Sequence, residues 1–151
     1  MVVETDPALL LAGGVGGGLV ATLAMDRVMA RLPEGTTPPS VASGVLTNTR
    51  PDDAPARLAT VVHYFAGVGT GILFVWLLLL ADLLTGVESA VGTVLAATLV
   101  LFVLMVGFFA GIVLPRARGV TAVRTRRIRR DWAIAAGSYL LVLSAITAVL
   151  V

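Results

Sequence analysis

His63 is the single histidine of the chain and opens the stretch "HYFAGVGTG" near the start of a long apolar run. An ionisable side chain in such a run is costly unless paired, and it marks a functional position whose partner must be named. The partner on offer is Asp26, which stands near the end of another apolar run, in "ATLAMDRVM". Measured from the arginines that bound each run, His63 lies about 9 Å beyond Arg57 and Asp26 about 7 Å before Arg31, at 1.5 Å per helical residue. The two share one depth if their helices touch. A carboxylate beside an imidazole favours the charged ring, so Asp26 and His63 form a candidate proton-sensitive pair. The plainer reading is a boundary cluster, in which Asp26, Arg27, His63 and Tyr64 hydrogen-bond one another at head-group level.

Other chemistry is largely excluded. The chain has no cysteine, which removes disulfides, thiol catalysis and cysteine-based metal centres. All 11 basic residues are arginines, so neither a lysine Schiff base nor a phosphate-loop lysine is available. A lone histidine builds no zinc site, and no Ser–His–Asp arrangement can be argued from spacing. No metal, no cofactor and no enzyme activity are therefore expected. The basic isoelectric point near 9.9 does not point to nucleic acid, because the net charge is only +2 and the arginines lie beside apolar runs.

The elements that must carry His63 and Asp26 are apolar helices. Apolar residues make up 58% of the 151 and charged residues 13%, against about 25% charged in soluble domains. Four apolar runs cover about 8–30, 58–84, 89–114 and 132–151, each long enough to cross a bilayer as a helix. The expected fold is all-α, one integral membrane domain over 1–151, built as a four-helix bundle with loops at 31–57 and 115–131. The first run is read as a retained helix, because "MVVETDP" is acidic where a signal peptide would be basic. Gly86 suits a C-cap in the tight turn after the second helix. Asp52 or Asp53 suits the N-cap of that second helix. Within the first loop, "PPSVASGVL" predicts a short interfacial helix, with Pro39 in its first turn and Val41, Val45 and Leu46 as its apolar residues. Pro115 is expected to end the third helix, and a helical extension of the fourth is expected from about Thr121.

Arginines set the orientation. Arg27, Arg31, Arg50 and Arg57 flank or lie in the first loop, and the other seven lie between Arg116 and Arg130. The N-terminal tail, the turn after the second run and the C-terminus hold none. The positive-inside rule puts both loops in the cytoplasm and both termini outside. Within "RTRRIRR", Arg124, Arg126, Arg127, Arg129 and Arg130 are candidates for anionic lipid head groups. The alternative is that they serve only as a solvated topology signal. A lysine-free composition rich in Ala, Val, Thr and Asp is associated with high-GC, halophilic prokaryotes.

Small residues recur at helical spacing. Gly13 with Gly17, Gly14 with Gly18, Gly67 with Gly71, Gly107 with Gly111, and Ala133 with Gly137 each leave a strip on which another helix backbone can lie closely. Packing within the bundle is one explanation. A homo-oligomer seam or docking onto a larger membrane complex is the other.

Gly18, Ala21 and Met25 in the first helix, Pro39 in the loop, and His63 with Gly67 and Gly71 in the second resemble uncharacterised small four-helix prokaryotic integral membrane proteins. The likeness covers about the first half of the chain. It implies a compact four-helix membrane domain and no activity. Two functions remain open. One is a structural or accessory membrane protein, acting through small-residue packing and a lipid-facing arginine loop. The other is a transport or permeation component in which Asp26 and His63 handle protons at the cytoplasmic mouth.

Overall fold

A computed structural model describes residues 7–85 and 90–150. Among these residues there is no strand. The helices are α1 (Pro7–Met29), α2 (Thr37–Thr47), α3 (Ala56–Thr85), α4 (Ala90–Phe108) and α5 (Ala122–Leu150). Four are long and apolar enough to span a bilayer, over 22 to 28 residues each. At 1.5 Å per residue that is about 33 to 42 Å, more than the roughly 30 Å of hydrocarbon. The expected all-α, four-span bundle is the observed architecture. Ser89, Val151 and the C-cap position Gly86 lie outside the described residues.

The helical extension expected from about Thr121 is present: α5 begins at Ala122, about three turns before its apolar part. One boundary differs from expectation. Neither Asp52 nor Asp53 caps α3. Both sit in a 3-10 turn, Pro51–Asp53, and α3 begins three residues later at Ala56. The arginine sequence before Trp132 is helical because nothing in it breaks a helix. The aspartates are displaced because Pro51 starts a turn of its own. α2 forms as expected, with proline in its first turn and Asn48 closing it in the left-handed conformation at φ 60°.

α1 sits at the centre of the fold, packed against both α3 and α5, while α4 packs on α5 and more lightly on α3. The main core gathers Met25, Phe74, Leu101, Tyr139, Leu140 and Leu143, all almost wholly buried. A second, smaller core lies at the arginine-bearing end, where α2 inserts Val41 against Phe109, Leu114 and Ile128. The outward faces of α3 and α4 expose Leu73, Trp76, Leu80, Leu95, Leu99 and Val103. In a bilayer those faces meet acyl chains and need no protein partner.

α1 and α3 approach each other too closely to admit side chains at several glycines. A Cβ on Gly18 would stand 2.8 Å from the Gly67 carbonyl oxygen, and one on Gly14 2.9 Å from that of Gly71. A Cβ on Gly71 would collide with the backbone of Gly14 and Gly18. Gly17 faces α5 instead, against Leu143 and Ile146, and Gly13 is half-buried beside the seam. Gly107 and Gly111 meet nothing within 4 Å, and Gly137 meets only Phe102 at 3.9 Å. The packing glycines expected on α4 therefore take no part in a seam within this chain.

Substituting Gly71→Leu is expected to destabilise the bundle by about 3 kcal/mol, because backbone atoms cannot yield to the new side chain. Gly107→Ala should stay within about 0.5 kcal/mol of the parent. Unfolding midpoints in detergent for the two variants check the contrast.

Candidate functional site

The glycine seam brings the sequence candidates together. With α1 laid directly on α3, the Asp26 carboxylate lies 2.7 Å from His63 Nε2. Tyr64 donates its hydroxyl to the other carboxylate oxygen at 2.6 Å. The His63 and Tyr64 rings meet edge to face, with centroids 5.5 Å apart. His63 is 11% exposed and Asp26 37%, so the carboxylate looks outward and the imidazole inward. The expected boundary cluster forms with one change. Arg27 is not in it, and its guanidinium lies along its own helix, 3.5 Å from the Leu23 carbonyl. Asp26 and Arg27 are adjacent in sequence, and on a helix adjacent residues point about 100° apart.

Deeper in the seam the polar groups serve the backbone. Thr22 donates to the Gly18 carbonyl at 2.7 Å, and Tyr139 reaches from α5 to the Gly67 carbonyl at 2.6 Å. The Tyr139 contact ties the third packing partner into the α1–α3 contact.

The arginine end is held by a clasp the sequence did not reveal. Arg124 donates from Nε to Glu34 at 3.0 Å and from both terminal nitrogens to Asp52, each at 2.8 Å. It thus joins α5 to both ends of the first loop. Below it, the fully buried Asp131 accepts from the Glu34 backbone N–H at 2.8 Å and from Arg130 at 2.9 Å. Of the five arginines proposed for lipid head groups, Arg124 is therefore committed to protein carboxylates, and Arg130 partly so. Arg126, Arg127 and Arg129 are exposed. Glu34, Asp52 and Asp131 carried no motif. The available signal was an aspartate at the boundary of an apolar run, next to surplus arginines.

Between α3 and α4 at this same end is a cavity of about 200 Å³. Its walls are almost entirely apolar. Val62, Ala66 and Thr70 line it from α3, and Met105, Phe109 and Val113 from α4 and the turn that follows. Exposed Ala66 and Phe108 mark its open side. Beside the cavity the chain after α4 departs from α-helical geometry. Phe109–Val113 form a π turn, followed by a 3-10 turn Leu114–Arg116. Leu114 donates to the Phe109 carbonyl, five residues back. Pro115 has no N–H to offer the next carbonyl in the series. Arg129 supplies that hydrogen bond instead, donating to Ala110 O at 3.3 Å, and Arg116 donates to the Ile112 carbonyl. Trp132 stacks on Phe109 at 4.9 Å and donates to Met105 O at 3.2 Å.

No family model matches this chain, and no curated protein or solved structure is similar to it. The four long apolar helices define a multi-pass helical membrane protein. Among the described residues no cluster of three or more metal-ligating side chains is present.

Two outcomes follow from the clasp. Removing the Asp131 carboxylate leaves the buried Glu34 N–H without an acceptor, so Asp131→Ala should cost about 1–3 kcal/mol, and Asp131→Asn less. Chemical denaturation of the three proteins checks the order. The hydrogen bond from Arg124 holds the Asp52 carboxyl below its ordinary 3.8. A depressed carboxylate contributes stability that is complete above that ordinary value and is lost as pH falls through the folded one. Thermal midpoints should therefore drop on acidification below about pH 4, and Arg124→Ala should flatten that dependence.

Proposed function

We propose that this chain is a structural or accessory membrane protein whose arginine-bearing end lies on the cytoplasmic side against anionic head groups. Both termini then lie outside. The observation that carries the reading is the segregation of charge. All 11 arginines fall at the end of the bundle where α1 leaves the membrane and α5 enters it, and the parts of the sequence at the other end have none. Positively charged flanks are retained on the cytoplasmic face, and each exposed one near an anionic surface contributes about 1 kcal/mol. The likeness to small four-helix prokaryotic membrane proteins, carried by Gly18, Ala21, Met25, Pro39, His63, Gly67 and Gly71, implies the four-helix membrane domain and no activity. The absence of native cysteine makes the topology directly testable. On intact cells an impermeant maleimide should label Glu88→Cys and spare Thr121→Cys; the reverse pattern inverts the orientation. Anionic phosphatidylglycerol should also raise the thermal midpoint above that in phosphatidylcholine, with the difference shrinking as salt is added. Equal midpoints in the two lipids would remove the head-group role.

A second reading, proton handling at the cytoplasmic mouth, draws on the 2.7 Å contact between Asp26 and His63. It has less to work with beyond that point. From Tyr64 to Ala81, and from Trp132 to the C-terminus, the sequence has no carboxylate, imidazole or basic group. A relay across the bilayer uses such groups in series. Proton flux in liposomes that disappears in His63→Ala would establish this second reading. Flux absent from the wild type would end it.

A further inference from the structure

The cavity beside α4 borders five polar side chains, and each is already satisfied within the protein. Thr22 bonds to Gly18, Thr70 to the Ala66 carbonyl at 2.7 Å, Tyr139 to Gly67, Trp132 to Met105, and His63 to Asp26. The walls therefore present few polar groups in search of a partner. They favour an apolar occupant, since an empty apolar void forfeits dispersion contacts along its whole lining. An engineered apolar cavity of about 150 Å³ is enough to take up benzene.

The shape narrows the occupant further. On α3 the lining runs from Val62 to Thr70, and on the facing side from Met105 to Val113. Eight residues of helix correspond to about 12 Å. One leaflet of hydrocarbon is about 15 Å deep, half the bilayer core. The slot thus follows the membrane normal over most of a single leaflet, and it begins at the arginine end.

Two exposed arginines stand within one helical turn of lining residues. Arg129 precedes the lining residue Trp132 by three positions on α5 and so shares its face. Arg116 follows the lining residue Val113 by three positions. Each spends a donor on a carbonyl of the π turn and is otherwise exposed, and neither is in an ion pair among the described residues. A guanidinium has five donors, so both retain the means to hold phosphate oxygens. Arg124 and Arg130, by contrast, are turned to carboxylates.

We propose that this slot holds one acyl chain of an anionic phospholipid from the arginine-side leaflet, with its phosphate taken by Arg116 and Arg129. The assignment rests on the head-group reading above and makes it local, because it names the lipid's seat. Pro115 is then more than a helix terminator. It lies just past the π turn, and its missing N–H leaves the Ala110 carbonyl to Arg129.

Trp132 provides the probe. In a Trp76→Phe background it is the sole tryptophan. Its fluorescence would be measured in phosphatidylcholine nanodiscs containing increasing phosphatidylglycerol with brominated acyl chains. Quenching should saturate at low mole fraction and be reversed by unbrominated phosphatidylglycerol. Brominated phosphatidylcholine should quench only in proportion to its amount. Replacing Arg116 and Arg129 together by Gln should raise the half-quenching mole fraction about tenfold. Ala66→Phe fills the exposed side of the slot and should abolish saturable quenching, with an unchanged thermal midpoint in phosphatidylcholine alone. Quenching that is the same for both lipids, or that survives Ala66→Phe in the folded variant, overturns the proposal. Stabilisation by phosphatidylglycerol without saturable quenching overturns the slot and leaves the head-group reading intact. Loss of both overturns the two together.

Discussion

In a bilayer, lipid is as apolar as leucine, so helices gain little by hiding hydrophobic surface from it. What holds them together is close contact of backbones and the hydrogen bonds that contact permits. The approach of α1 to α3 over Gly14, Gly18, Gly67 and Gly71 is that contact in this protein, and the remaining structure follows from it. It sets Asp26 against His63 and Tyr64. It also presents the Gly67 carbonyl to Tyr139, which locks α5 onto the pair. A helix with a bulky residue at any of these positions would stand off, and the short hydrogen bonds at the rim would be out of reach.

The second organising constraint is that every backbone polar group at membrane depth needs a partner. Pro115 breaks the series at the end of α4, and the chain responds with a π turn, an arginine on one carbonyl and an indole on another. Helix irregularity, slot and arginine contacts thus lie together at the end of α4, beside a residue with no N–H.

The ionisable groups sort by the same logic. Those that are buried are paired: Asp131 by a backbone N–H and Arg130, Glu34 by Arg124 and by Thr37 at 2.6 Å. Arg126, Arg127 and Arg129 stay exposed at the same end of the bundle. The arginine-rich stretch is therefore not one patch. Arg124 and Asp131, two helical turns apart on one side of α5, fasten the first loop to the bundle.

Much of this was legible in the sequence. The number and rough extent of the spans followed from apolar length, because a spanning helix requires about 20 apolar residues. The interfacial α2 followed from its prolines and apolar spacing, and the level of Asp26 with His63 from counting residues inward from the arginines. What sequence could not supply was anything that depends on which faces meet. The glycine pairs on α1, α3 and α4 look alike as text, yet only those of α1 and α3 oppose each other, while Gly107 and Gly111 meet nothing. Asp52 read as a helix cap because capping is a local pattern; it instead reaches Arg124, 72 residues away. The slot had no signal at all, since it is bounded by side chains from five helices. Composition and period decided that the chain crosses the membrane four times. Only tertiary contact decided which glycines touch, which arginines are spent on the fold, and where the wall is left open.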